Sequence, residues 1–199
     1  MFNILVIGRK KAGKSSLIDA FLGDNVTEGN KGIIVYNGIK KYSKENSPYS
    51  LYEAKLDNNY NNIRKLISDR NDATDIDQHF HVIWICIPQN QYYRQNEYNF
   101  IKIFSKIIPV IIIVTNAWLE NRNLQSKLKS HFPEAFDVIR INSKSFNLDN
   151  GKIIKPFNLN VLEKITKNMQ LNHKTSCKTN INTTNEKGIY KYIINTLYK

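Results

Sequence analysis

The sequence predicts a three-layer α/β domain in which helices cover both faces of a doubly wound, mainly parallel sheet. Residues 2–7 form a short apolar, β-branched run that is typical of a buried strand. Residues 81–87 and 109–115 are also apolar without interruption, as expected of parallel strands with both faces covered. Helical patterns separate these runs, and strands that alternate with helices predict a parallel sheet with right-handed crossovers.

The first helix is marked by apolar residues at helical spacing, which are Leu17, Ile18, Phe21 and Leu22. A polar, glycine-containing loop at 23–31 follows. Residues 32–42 are rich in β-branched and aromatic side chains and contain Asn37-Gly38, a pair that favours tight hairpin turns. We favour instead one long strand that is kinked at this pair, because residues 48–54 have the pattern of its partner strand.

The rest of the chain supplies the remaining helices and the last strand. Helices are predicted over residues 57–67, 92–107, 124–132 and 161–169, and the last strand over 137–142. We expect residues 1–170 to form one domain, with a sheet of about six strands and one antiparallel edge strand. Residues 171–199 should add a short appendage, in which a polar linker leads to a short C-terminal helix. That helix either packs back on the domain or contacts a membrane surface or a partner.

The composition favours a folded protein with an anionic partner. The 199 residues are 41% hydrophobic, which is enough for a core, and the net charge is +12. This charge suits a nucleotide, RNA, an acidic surface or a protein partner, although the abundance of Asn, Ile and Lys also fits a biased genome composition. Cys86 and Cys177 lack metal-binding spacing, and the longest apolar run is too short to span a bilayer. We expect a cytoplasmic protein without a signal peptide or transmembrane segment.

Residues 8–15, here called the phosphate loop, read GRKKAGKS and fit the pattern GxxxxGK[ST] between a strand and a helix. Gly8 and Gly13 allow the loop to wrap closely, so that its N–H groups point at phosphate oxygens. The N-terminus of the next helix adds partial positive charge. Lys14 would reach the β- and γ-phosphates, and the Ser15 hydroxyl would bind Mg²⁺. The predicted phosphate-binding residues are Gly8, Lys11, Ala12, Gly13, Lys14, Ser15 and Ser16.

Two later blocks carry a resemblance to a known family. The strand at 81–87 is followed by a helix and by PVIIIVTNAW at 109–118, and DVIRINSKS stands at 137–145. With the phosphate loop, these blocks resemble a small P-loop GTPase-type G domain over residues 2–170, similar to the Era-like and translation-factor-class GTPases. The resemblance implies GTP or GDP as the ligand, with Mg²⁺. The second block aligns with the strand before the family's guanine-reading [NT]KxD motif, and the third with the strand before its SA[KL] loop.

The resemblance also implies metal-binding residues, and here the sequence departs from the family. The family's DxxG turn falls at residues 52–55, where Glu53 is the acid that would orient a magnesium-bound water. The alternative for Glu53 is a solvated charge at a strand end. Thr27 is the candidate for the family's magnesium-binding threonine. No glutamine follows the turn to orient an attacking water, so the catalytic residues stay unassigned.

The base-binding residues implied by the resemblance are Thr115, Asn116, Trp118, Ser143 and Lys144. Trp118 stands where the family has an Asp that accepts two hydrogen bonds from guanine. An indole cannot accept them, but its ring can stack on a base. Glu120 is an alternative source of the missing carboxylate.

These features are compatible with three functions. The first is a module that binds a purine nucleotide, foremost GTP, hydrolyses it slowly or not at all, and has a regulatory role. The second is an active GTPase whose atypical motifs are completed by a partner or a dimer. The third, a P-loop kinase, is less favoured because the sequence has no apparent arginine-bearing lid.

Overall fold

The computed structural model describes residues 1–23, 25–28, 33–36, 38–57, 59–117, 122–148 and 151–179. Within these residues, seven strands form one sheet in the order β2-β3-β4-β1-β5-β6-β7. The strands are β1 (Phe2–Gly8), β2 (Ile33–Tyr36), β3 (Ile39–Ser43), β4 (Tyr49–Lys55), β5 (Val82–Pro88), β6 (Val110–Thr115) and β7 (Asp137–Arg140). The helices are α1 (Lys14–Leu22), α2 (Tyr60–Asn71), α3 (Gln95–Phe104), α4 (Arg122–His131) and α5 (Leu159–Thr179). A separate two-stranded sheet is formed by β8 (Phe146–Asn147) and β9 (Ile153–Ile154).

The sheet is mainly parallel, as predicted. Strands β4, β1, β5, β6 and β7 are parallel neighbours, and β2 and β3 form an antiparallel pair at one edge. Because parallel strands end at the same edge of the sheet, the loops that follow β1, β4, β5, β6 and β7 lie together. Ligands of open α/β sheets bind at this edge.

The prediction of one long kinked strand over 32–42 is wrong. The segment forms the hairpin β2–β3, in which Ile33 pairs with Lys41. Gly38 has a φ of 81°, which a two-residue hairpin turn requires and which glycine adopts without strain. Its neighbour Asn37 lies outside the described residues. The hairpin adds one strand to the edge, so the described sheet has seven strands where about six were expected.

Apolar side chains alternate along each central strand and cover both faces of the sheet. In β1, Leu5 and Ile7 pack with α2, α3 and α4, whereas Ile4 and Val6 pack with α1 and α5. All residues of β1, β5 and β6 are buried, which accounts for their uninterrupted apolar sequences. The three predicted layers are therefore present, and the polar loops at the carboxyl edge are left for a ligand.

Helix α5 runs past residue 170. It ends at Thr179, so the first nine residues of the segment expected as a polar linker are helical. The boundary between a domain and an appendage stays a prediction, and the expected C-terminal helix lies outside the described residues. In the part of the chain that the structure describes, no helix combines the length and hydrophobicity needed to cross a bilayer.

Candidate functional site

The phosphate loop connects β1 to α1 at the carboxyl edge of the sheet. Gly8 ends β1, where an added Cβ would lie 2.6 Å from the Cys86 carbonyl oxygen of β5. Gly13 has a φ of 81° and would place a Cβ 3.1 Å from the Cβ of Thr115. Strands β5 and β6 come so close to the loop that a side chain at either motif position would be crowded. Both positions therefore require glycine.

Lys14 holds its ammonium group over this loop. Its side chain is buried, and Nζ donates to the carbonyl oxygens of Gly8, at 3.1 Å, and Arg9, at 2.7 Å. Burial lowers the pKa of Lys14, and negative charge at Glu53 and Asp57 acts in the opposite direction. Burial makes the charged form of Lys14 energetically costly, and an anion bound in the loop would stabilise that form. The loop is therefore suited to a phosphate group.

Ser15 and Glu53 meet at the mouth of the loop. The register of β1 and β4 pairs Val6 with Glu53, which brings this acid beside the loop. The Ser15 hydroxyl donates to Glu53 Oε1 at 3.0 Å, and the hydroxyl of Tyr42 in β3 donates to Oε2 at 3.3 Å. Burial, followed by the charge of Glu53, raises the pKa of Tyr42 to about 12, so Tyr42 is a permanent donor.

This oxygen pair fits Mg²⁺. Magnesium is typically bound through one or two protein oxygens, with water and substrate phosphates completing an octahedron. Ser15 and Glu53 supply a hydroxyl and a carboxylate within 3.0 Å of each other. No group of three or more His, Cys, Asp or Glu that could hold a metal by protein ligands alone occurs among the described residues.

Thr27 is hydrogen-bonded to Asp19. Its hydroxyl donates to Asp19 Oδ2 at 2.7 Å and its N–H donates to Oδ1 at 2.8 Å. Asp19 lies on α1, one turn after Ser15, so the contact fixes the segment that follows α1. A magnesium-binding role for Thr27 stays a prediction.

The end of β6 is fastened to the phosphate loop. Thr115 Oγ1 donates to the carbonyl oxygen of Ala12 at 2.7 Å, although the two residues are 103 positions apart. Asn116 follows with a φ of 52°, which turns the chain, and Ala117 donates its N–H to the Ile141 carbonyl oxygen at 3.3 Å. The expected base-binding turn after β6 therefore begins beside the loop. Trp118 and Glu120 lie outside the described residues.

The turn after β7 lies next to that of β6. Ser143 is half-buried and Lys144 is exposed. The Asn142 side-chain amide donates to the Lys144 carbonyl oxygen at 2.7 Å and thereby fixes the turn. In the phosphate loop itself, Lys11 is exposed with a φ of 62°, Ala12 is buried and Ser16 is half-buried. Apart from Trp118, the predicted phosphate- and base-binding residues thus lie at the carboxyl edge of the sheet, at strand ends, in the loops that follow or in the first turn of α1.

An ion pair that the sequence motif does not predict links the loop to α3. Arg9 Nε donates to Glu97 Oε1 at 2.8 Å, with the two side chains only 8% and 1% exposed. Arg9 Nη2 also donates to the Tyr92 carbonyl oxygen at 2.9 Å. Burial raises the pKa of Glu97, against the effects of the Arg94 N–H and the Arg9 guanidinium. Arg9 occupies a motif position at which any residue is allowed, so only its partner reveals its role.

A second acid also contacts the loop. Asp57 Oδ2 accepts a hydrogen bond from the Lys10 N–H at 3.0 Å, and its other oxygen lies 3.8 Å from Nη1 of Arg94. Asp57 follows β4 by two residues, and no fixed position of a motif pointed to it. Beneath the loop, burial raises the pKa of the Cys86 thiol to about 12, so this side chain stays neutral.

Comparisons with known proteins support the architecture. No family model and no curated protein matches the sequence. Among solved structures, the probable GTP-binding protein EngB is 16% identical with a TM-score of 0.56, over 84% of this chain and 97% of that one. The G domain of the T. maritima FeoB iron transporter is 16% identical with a TM-score of 0.51, over 85% and 99%.

The longer protein Era also has a similar fold. Its structure with MgGDPNP and a 16S ribosomal RNA fragment is 16% identical with a TM-score of 0.54, over 83% of this chain. The chain spans only 56% of the Era chain, so it corresponds to part of that protein. At 16% identity, structural similarity of this degree shows the fold but not the activity. The chain has the fold of a small P-loop GTPase G domain.

Proposed function

We propose that this protein binds a purine nucleotide, foremost GTP or GDP, together with Mg²⁺, and acts as a regulatory or binding module with slow or absent hydrolysis. The observation that carries the proposal is the buried Lys14 ammonium, which two carbonyl oxygens hold over a loop that ends at a helix N-terminus. Such a loop presents N–H groups, a cation and partial positive charge to one anion. The fold shared with EngB, the FeoB G domain and Era supports the same ligand class.

Mg²⁺ would be held by Ser15, with Glu53 positioning a bound water, and would neutralise phosphate charge there. Glu53 reaches Ser15 at 3.0 Å, so its longer side chain compensates for the absence of the family's Asp. Tyr42 holds the other carboxylate oxygen and so limits the rotation of Glu53. Era with MgGDPNP provides a neighbour of the same fold in which nucleotide and magnesium are present.

Slow hydrolysis is proposed from the residues after β4. Hydrolysis of a nucleoside triphosphate needs a group that orients the attacking water, and in many GTPases a glutamine does so. Here Asp57 is a nearby polar side chain, and it is already hydrogen-bonded to the loop at 3.0 Å. A residue engaged in this way is poorly placed to orient a water.

The alternative is an active GTPase whose site is completed by a partner or by a second copy of the chain. The net charge of +12 favours an acidic partner, RNA or an anionic surface. The neighbour Era was solved with ribosomal RNA, which makes RNA a reasonable first candidate. A P-loop kinase stays the least favoured option, and a cytoplasmic location stays a prediction.

Titration with GTP, GDP, ATP and ADP, with and without Mg²⁺, tests the proposal, and turnover is measured on the same samples. Lys14→Ala should lower affinity for the diphosphate and the triphosphate by about tenfold or more, because contacts of a cation to phosphate are worth roughly 1.5–3 kcal/mol. The matched control is Lys164→Ala, which removes the same group from the exposed face of α5. Equal affinities in both variants and the wild type would refute nucleotide binding at the loop.

Base selection is tested separately, at Trp118 and Glu120. If Trp118 stacks on the base, the preference for GTP over ATP is weak, and Trp118→Ala weakens both nucleotides alike. Trp118→Asp should then favour GTP, because a carboxylate accepts hydrogen bonds that only guanine donates there. A strong wild-type preference for GTP that is lost in Glu120→Ala would assign base reading to Glu120 instead.

A further inference from the structure

Asp57 places a carboxylate against the phosphate loop. The N–H of Lys10, within the phosphate loop, donates to Asp57 Oδ2 at 3.0 Å. Loop amides of this kind commonly serve as anion-binding groups. Here one of them already has an anionic partner, contributed by a residue 47 positions later in the chain.

The main chain holds Asp57 in this place. Lys55 ends β4 as the register partner of Gly8, and the Leu56 N–H donates to the Gly8 carbonyl oxygen at 3.1 Å. Gly8 is the first residue of the phosphate loop, so the segment that leaves β4 is fastened to the start of the loop. Asp57 comes directly after this contact, and its position beside Lys10 follows from the sheet register.

The charge of Asp57 acts on the same cation that would neutralise the phosphates. Negative charge at Asp57 and at Glu53 acts on the buried ammonium of Lys14. The guanidinium of Arg94 lies 3.8 Å from Asp57, but these side chains are 68% and 40% exposed. An exposed ion pair is well screened by water, so Arg94 cancels the negative charge at the loop only in part.

We propose that Asp57 is an internal competitor for the terminal phosphate of a bound nucleotide, and that it makes the protein favour a nucleoside diphosphate over the triphosphate. This inference rests on the nucleotide binding proposed above. A γ-phosphate adds negative charge at the mouth of the loop, where it repels the Asp57 carboxylate and needs the Lys10 N–H and the Lys14 ammonium for itself. A diphosphate places less charge there and leaves the Asp57 contact intact.

Neutral variants of Asp57 test the inference. Asp57→Asn keeps an oxygen that can accept from Lys10 but removes the charge, and Asp57→Ser is a second neutral variant with a smaller side chain. The control is Asp69→Asn, which makes the same change on the exposed surface of α2. GDP and GTP compete with a fluorescent GDP analogue at one fixed free Mg²⁺ concentration, and ADP and ATP are measured in the same way.

The expected result is a change in the ratio of the two affinities. Both neutral variants should bind GTP at least about threefold more tightly relative to GDP than the wild type does, because repulsion between charges near a protein surface is removed. Asp69→Asn should leave the ratio at its wild-type value. The thermal unfolding midpoint of each variant shows, independently of binding, that it is folded.

Two other results would overturn the inference, and they are distinguishable from failure of the proposed function. Neutral variants that bind GDP with an unchanged GTP-to-GDP ratio would show that Asp57 does not compete with phosphate. Folded neutral variants that lose GDP binding would show that Asp57 supports binding instead of opposing it. A wild-type protein that binds none of the four nucleotides would refute the proposed function itself.

Discussion

Replacement of Arg9 by Met tests whether the buried ion pair with Glu97 holds the phosphate loop against α3. Methionine keeps the apolar stem but removes the guanidinium, so the Glu97 carboxylate and the Tyr92 carbonyl oxygen lose their donors at 2.8 and 2.9 Å. Breaking a buried pair by removing one partner costs about 3–5 kcal/mol. We expect the lower end, about 3 kcal/mol, because Glu97 keeps the Arg94 N–H at 2.7 Å.

The expected loss has a characteristic pH dependence. Burial raises the pKa of Glu97 above its ordinary 4.5, and loss of Arg9 should raise it further. A carboxyl group with a raised pKa in the folded state stabilises that state below its unfolded pKa and loses this contribution as pH rises through the folded pKa. The difference in unfolding free energy between Arg9→Met and the wild type should therefore be larger at pH 8 than at pH 5.

Unfolding in guanidinium chloride, monitored by fluorescence, measures these differences in unfolding free energy, and thermal unfolding gives a second readout. For a chain of this size, about 3 kcal/mol corresponds to a fall in Tm of roughly 6–12 °C. The control is Lys129→Met, which breaks an ion pair with Asp137 at 3.0 Å whose side chains are 54% and 29% exposed. A surface pair of this kind is worth at most about 1 kcal/mol.

The double variant Arg9→Met with Glu97→Gln separates the loss of the attraction between the two side chains from the cost of leaving the Glu97 carboxylate buried without a partner. It should be more stable than Arg9→Met alone at pH 8, because no carboxylate is left without its partner. The reasoning is refuted if Arg9→Met unfolds within about 0.5 kcal/mol of the wild type at pH 8. It is also refuted if Glu97→Gln restores none of the unfolding free energy that Arg9→Met loses at pH 8.

Three further substitutions test individual contacts of the site. Gly8→Ala should destabilise the fold markedly in a thermal scan, because its Cβ would lie 2.6 Å from a main-chain oxygen of β5; a wild-type Tm would contradict this geometry. Thr115→Val should cost about 1–3 kcal/mol of unfolding free energy, because it leaves the Ala12 carbonyl oxygen without its 2.7 Å donor, and an unchanged midpoint would disprove the contact. Tyr42→Phe should weaken the Mg²⁺-dependent part of nucleotide affinity severalfold, because Glu53 loses the 3.3 Å donor that holds its Oε2; an unchanged Mg²⁺ dependence would separate Tyr42 from metal binding.

The fold and the phosphate loop could be predicted because their signals are local. Continuous apolar runs such as 81–87 indicate strands buried on both faces, and β5 is buried throughout. Gly8, Gly13, Lys14 and Ser15 occupy fixed positions of one short motif, each with its own physical requirement. The hairpin β2–β3 was missed because residues 32–42 satisfy the pattern of one strand as well as that of two. Only pairing at the sheet edge, where Ile33 meets Lys41, distinguishes the two forms.

By itself, the sequence determined the alternation of strands and helices and the presence of a strand–loop–helix unit for phosphate, because these depend on neighbours along the chain. Only the tertiary structure shows that Asp57 and Glu97 also meet that unit, and it brings Glu53, the acid that the resemblance had suggested, against Ser15. Glu53 reaches Ser15, Asp57 reaches Lys10 and Glu97 reaches Arg9 across separations of 38, 47 and 88 residues. Such contacts depend on strand register and on the order of strands in the sheet, and a one-residue shift of β4 would turn Glu53 to the opposite face.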